Sequence, residues 1–115
     1  MSNLRRYFEE ITIENKEYIM AFDMKSVDIF NDINEKGLLK SLPSLNKLED
    51  KTVLNFIAST LRDKSDPNTP LGEKIFDGRF DLFYLLIALT PTMLKIVREG
   101  FPQQSNSKKK LEQKK

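Results

Sequence analysis

This chain of 115 residues contains no histidine, no cysteine and no tryptophan. Without cysteine there is no disulfide framework and no thiolate nucleophile. Without histidine there is no imidazole metal ligand, no Ser–His or Cys–His pair and no imidazole acid or base. Only four glycines occur, Gly37, Gly72, Gly78 and Gly100, too scattered to build a phosphate-cradling loop. No window holds the ~18 consecutive apolar residues that a membrane span needs. Residues 1–10 carry two arginines but no apolar stretch behind them, so they do not read as a secretory signal. An enzyme built from this chain would have to work with carboxylates, lysines and hydroxyls alone. A cytosolic setting is the simplest reading, with no cofactor and no metal.

What is present divides into two kinds of material. Residues 103–115, QQSNSKKKLEQKK, hold five of the 19 Lys+Arg and one of the 17 Asp+Glu. The remainder therefore carries 14 positive and 16 negative charges, a net of −2, so the pI of 8.8 belongs to the tail. Gly100 and Pro102 form a helix stop before it. The reading is a single globular domain over residues 1–102 and a disordered lysine-rich tail over 103–115. At 39% apolar residues, a body of that size builds one modest core.

Within the body, residues 8–22 alternate with period two. Ile11 and Ile13 share one strand face, Tyr18, Met20 and Phe22 share another, and Glu14-Asn15-Lys16 lies between them. This predicts a β-hairpin that needs helices to cover its apolar face. Asp23 is placed to cap a helix over residues 24–36 that carries Val27, Phe30 and Ile33 and closes at Gly37. Leu38, Leu39 and Leu42 then read as a turn folding back before Pro43. Asn46 to Glu49 has the form of a capping box for a helix over 50–63, with Val53, Leu54, Ile57 and Leu61 as its stripe. Residues 63–70 read as a loop, and Thr69-Pro70 as the start of a short helix ending at Gly78. Asp81 caps a last segment over 82–99, with Pro91 either kinking it or opening a second helix. The fold class is α+β, mostly helical: a hairpin packed on four to five helices.

The eight apolar residues 82–89 stand out, because a surface helix buries one stripe and this one offers apolar atoms on every side. Either the helix is central or its second face meets another chain. Leu82, Tyr84, Leu86, Leu89, Met93 and Val97 are the candidate self-association or client-binding residues. Lys108, Lys109, Lys110, Lys114 and Lys115 could contact a polyanion, although no aromatic residue accompanies them for base stacking. Asp28 and Asp32 sit one helical turn apart and read as an exposed face. Asp63, Asp66 and Asn68 crowd one loop but lack the glycine and the closing glutamate of a calcium loop. Ser59 and Thr60 have no base beside them. These patterns favour a non-enzymatic protein that works by contact. The alternatives are a small nucleic-acid-binding regulator using the basic tail, with a helix–turn–helix of the middle helices across the loop at 63–70 as its second element, or a small inhibitor of a host protein.

The order of elements, together with Ile11, Ile13, Lys16, Tyr18 and Phe22, then Gly37, then Leu54, Ile57, Ala58, Leu61 and Arg62, resembles the tail assembly chaperones of long-tailed bacteriophages. The resemblance spans most of residues 8–100. It implies a homo-oligomer that coats the tape measure protein while the tail tube forms around it, in the bacterial host cytoplasm. The tail tube protein would be a second partner, and nucleic acid and membrane would not be. It also implies a longer form made by a ribosomal frameshift, for which the codons of Lys108 to Lys110 are the place to look. The chain departs from many such proteins in lacking a strongly acidic helical C-terminal half.

Overall fold

The computed structural model describes residues 7–99. Strands β1 (Tyr7–Ile13) and β2 (Lys16–Phe22) pair antiparallel with Ile13 opposite Lys16, so Glu14 and Asn15 alone make the turn. Their φ angles are 52° and 69°. Two successive residues at positive φ give the type I′ turn, whose twist matches that of the strands. Asn enters this region readily; Glu14 does so at a cost that the register repays. Ile11, Ile13, Tyr18, Met20 and Phe22 share the core face, as the alternation predicts.

Asp23 caps α1 (Met24–Ile33) in a reciprocal box: its carboxylate accepts from the Ser26 N–H at 3.2 Å, and the Ser26 hydroxyl accepts from the Asp23 N–H at 3.3 Å. The helix stops a turn earlier than expected. Asn34 is already extended, and Gly37 opens the next element instead of closing this one. The expected turn over Leu38, Leu39 and Leu42 is the helix α2 (Leu38–Asn46), with Pro43 inside it. Gly37 has no side chain to cap α2, so Asn31 of α1 supplies the oxygen, accepting from the Leu38 N–H at 3.0 Å. Pro43 cannot donate to the carbonyl of Leu39, but Leu39 is 74% exposed, so water can serve that group. The capping box predicted at Asn46–Glu49 does not form. Asn46 belongs to α2, Leu48 takes φ 58°, and Glu49 precedes α3 (Asp50–Thr60) without a side-chain cap.

The central helix is α3, not the apolar run that follows it. Every residue from Val53 to Thr60 is buried, and α3 touches the other three α-helices and β2. It ends three residues sooner than its stripe suggested. Leu61, Arg62 and Asp63 form β3 (Leu61–Asp63), which pairs antiparallel with β2 and makes a three-stranded sheet in the order β1-β2-β3. Alternation then separates their side chains. Leu61 joins the core, while Arg62 points to the opposite face beside Ile19. Residues 64–71 return over that face to a 3-10 helix (Gly72–Phe76), shorter and tighter than the helix expected after Thr69-Pro70, which plugs Ile75 into the core. Finally α4 (Leu82–Glu99) lies across α3 and β1, with Lys95 bonded to Glu9 at 3.0 Å. Pro91 interrupts its hydrogen bonding without ending it. Ile87, whose carbonyl loses its donor, is 64% exposed, so water can serve that group, and the Thr90 hydroxyl donates to the Leu86 carbonyl.

The most confined charge in the fold is Arg62, which is 0% exposed. Its Nη2 and Nη1 donate to the two oxygens of Asp23 at 2.8 and 3.1 Å, and further bonds reach the Ser26 hydroxyl and the Pro67 carbonyl. Asp23→Asn keeps the helix cap but strands this charge. It should destabilise the protein by about 3 kcal/mol in urea unfolding, the lower end for a buried pair because Asp23 retains some water. The double variant Asp23→Asn, Arg62→Met should recover a large part of that loss. A single Asp23→Asn that unfolds like wild type would show that the pair does not hold these segments together.

Candidate interaction surface

The side of α4 that packs inward is set by Leu85, Leu89, Met93 and Ile96, spaced four, four and three residues apart and all buried. Their positions decide what the apolar run does with its other faces. Leu82, Leu86, Leu94 and Val97 flank the stripe and pack partly on the core. Phe83 and Ile87 fall on the far side, 70% and 64% exposed, and Tyr84 is 45% exposed beside them. Between Asp81 and Lys95 the helix has no charged residue on any face.

Of the six candidate contact residues, Tyr84 is the one on the open surface. Leu89 and Met93 are core residues of the subunit and are unavailable to a partner. Leu82, Leu86 and Val97 form the rim. Phe83 and Ile87 were missed: they are one turn apart and lie opposite the 85–89–93–96 series, which only the packing reveals. An unbroken apolar run hides that distinction, because every phase of the helix is equally greasy until a core is placed against one of them.

The start of α4 is held in place by its neighbours. Asp81 accepts from the N–H groups of Phe83 and Tyr84 at 3.0 and 3.2 Å. Phe80 sets its ring edge-on to Tyr18 at 5.7 Å. A small cleft of about 180 Å³ opens between Ile13, Lys16, Tyr18, Arg79 and Tyr84. The remaining exposed large apolar residues, among them Phe8, Met24, Leu39 and Leu48, occur singly on different elements, which is ordinary for a small domain. The pair on α4 is the one instance of exposed large apolar side chains at i, i+4 on a helix among the described residues.

Polar candidates are occupied by structural work. Asn34 donates to the Ser41 hydroxyl at 3.0 Å and accepts from Asn55 at 2.8 Å, tying α1, α2 and α3 together on the wall of an open cleft of about 660 Å³. The Ser59 and Thr60 hydroxyls return to the Phe56 carbonyl at 2.8 and 2.9 Å. Asp28 and Asp32 lie exposed on α1. Asn68 offers its carbonyl to Lys25 at 3.1 Å. No group of three or more acidic side chains among the described residues is arranged to hold a metal ion, and no helix among them is long and apolar enough to cross a membrane. A helix–turn–helix across residues 63–70 is not formed, since a strand precedes that loop and a 3-10 helix follows it. Lys108, Lys109, Lys110, Lys114 and Lys115, with the stop at Gly100 and Pro102, lie outside the described residues.

The charged edge of the sheet is a ladder around Asp63. The Ser65 hydroxyl donates to its carboxylate at 2.7 Å and Lys16 approaches at 3.0 Å. These contacts, the Ser65 hydroxyl foremost, hold Asp63 down to about 2, and the Lys16 ammonium is raised in return. A carboxyl depressed by folding adds stability above its unfolded value of ~3.9, and that contribution is lost as pH falls through the folded value. An NMR carboxyl titration should therefore place Asp63 near 2, and Ser65→Ala should move it upward. A midpoint at the ordinary aspartate value would contradict this geometry. No family model matches the chain, and neither a curated protein nor a solved structure matches it.

Proposed function

We propose that this protein is a non-enzymatic assembly chaperone that lends the outer face of α4 to another polypeptide. Its client in this reading is the tape measure protein of a long-tailed bacteriophage, held during tail assembly in the host cytoplasm. The observation that carries the proposal is the exposed Phe83–Ile87 pair with Tyr84, on a helix uncharged between Asp81 and Lys95. A fully covered aromatic side chain buries ~150–250 Å²; at 70%, 45% and 64% exposure, Phe83, Tyr84 and Ile87 together offer roughly 350 Å². That matches the largest apolar patch of a typical monomer, ~300–600 Å², which is often functional. A contact of this size is weak on its own. Weak contacts repeated along a long client become firm through multivalency and still release when the tube displaces them. Of the features on which the resemblance rests, the fold has the leading hairpin and the apolar last helix, whereas Gly37 opens a helix and Leu61 and Arg62 lie in a strand.

Co-expression with the tape measure protein of the same viral genome tests the reading. The wild-type chain should keep that protein soluble and copurify with it. Phe83→Asp and Ile87→Asp should each reduce the amount captured by about tenfold, the effect of ~1.4 kcal/mol per contact, with far-UV circular dichroism unchanged because neither residue supports the core. Capture undiminished by both substitutions would reject α4 as the client surface, and a wild-type chain that never holds the tape measure protein would reject the phage assignment.

A further inference from the structure

The sheet ends at β1: among the described residues no strand pairs with its outer edge. Edges of this kind are covered or blunted in most proteins. This one is acidic. Residues 7–22 hold Glu9, Glu10, Glu14 and Glu17 against one lysine, a net of −3, and no other element of the fold carries more than one net negative charge. Lys16 is bound to Asp63, and Lys64 is shared between Glu17 at 3.0 Å and Glu10 at 3.7 Å. Glu14, exposed on the turn, has no ion partner among the described residues. The edge therefore lacks both a neighbouring strand and part of its counter-charge.

We infer that the lysine-rich segment 103–115 of the same chain lies back along the β1 edge, with Lys108, Lys109 and Lys110 against Glu10 and Glu14. Charge is the first reason. That segment has five lysines and one glutamate, a net of +4, beside a body of net −2. Position is the second. The start of α4 shares a cleft with Ile13 and Lys16 through Tyr84 and Leu85, and Lys95 of the same helix meets Glu9. So α4 runs back along β1, and Glu99 stands one helical turn, ~6 Å, beyond the Glu9 contact, near the Tyr7 end of the edge. The segment therefore starts where the acidic edge starts.

Reach is the third reason. Lys108 follows Glu99 by nine residues, and a random coil of that length spans roughly 17 Å. From Tyr7, Glu10 and Glu14 stand about 10 and about 20 Å along the strand. A tether whose natural span matches the distance gives the highest effective concentration. Arg5 and Arg6, which also lie outside the described residues, cannot serve instead: two residues reach only ~7 Å from Tyr7, well short of Glu14. Ion pairs this exposed are individually weak and yield to salt. Three of them on one matched tether make a cover that blunts the edge and can be lifted again.

Because the chain has no cysteine, Ser107→Cys gives one attachment point for a nitroxide spin label beside the lysines. In the full chain at low salt, the amide NMR signals of Glu10, Thr12 and Glu14 should lose most of their intensity, while those of Leu39 and Lys40 on α2 keep theirs. Salt at ~1 M, where the Debye length falls to about 3 Å, should restore the lost signals. Replacing Lys108, Lys109 and Lys110 by glutamine should do the same. So should the double variant Glu10→Gln, Glu14→Asn, in which asparagine suits the left-handed turn position. Broadening spread evenly over the surface, or indifferent to salt and to these variants, would overturn the inference. Broadening passed from spin-labelled chains to separate isotope-labelled chains in a mixture would overturn it too, since the occupant would then be a second molecule. Tail signals that respond to an added DNA duplex while the β1 amides never broaden would assign the lysines to a polyanion instead. None of these readouts involves the client, so the chaperone reading stands or falls by its own test.

Discussion

The fold turns on one buried ion pair. Arg62 enters the side of the sheet away from the main core and finds the Asp23 carboxylate in a two-pronged arrangement, at 2.8 and 3.1 Å. A planar guanidinium matches a carboxylate in this way, and an ammonium does not. Three segments distant in sequence meet there: β3 through Arg62, the start of α1 through Asp23 and Ser26, and the returning loop through the Pro67 carbonyl. The Ser26 hydroxyl also donates to the Ala21 carbonyl at 3.0 Å, which ties β2 into the same cluster. The second face of the sheet is thereby closed over Ile19 and Ala21, which are buried although they lie outside the main core cluster. The arrangement is not without cost, because the Arg62 Nε is buried with no partner. A buried cation is tolerable only while its counter-charge stays in place, so the pair acts more as a lock on geometry than as a source of net stability.

With that face closed, the division of labour among the helices follows. Buried on all sides from Val53 onward, α3 occupies the place the apolar run 82–89 could have taken. The last helix is left as a cover: it contributes Leu85, Leu89, Met93 and Ile96 inward and keeps Phe83 and Ile87 outward. A body this small has room for one central helix, and the surplus apolar surface must go to solvent or to a partner. The open edge of β1 adds a second incomplete surface next to the first.

Some of this was legible before any fold existed. The hairpin follows from period two with Asn15 at the turn. The starts of α1 and α4 follow from Asp23 and Asp81, whose carboxylates meet N–H groups three residues away or closer. These are short-range matters, settled by backbone sterics and local hydrogen bonds. Elements whose identity depends on remote atoms were misread. Pro43 argued for a turn, yet α2 forms because Asn31 of another helix caps it and Leu38 and Leu45 have a core to reach. Leu61 and Arg62 continued a helical stripe, yet they extend because β2 offers a ladder. Asn46 and Glu49 had the spacing of a capping box, but the left-handed Leu48 redirects the chain between them.

Sequence alone determined the fold class, the hairpin, the starts of α1 and α4 and the presence of more apolar surface than one small core requires. Tertiary structure alone decided which helix is central, which way Arg62 points and which residues of the apolar run face outward. The reason is that local signals act over a few residues through the backbone. The phase of a uniformly apolar helix and the fate of a lone arginine are set only when another element arrives to bury one side and to supply the opposite charge.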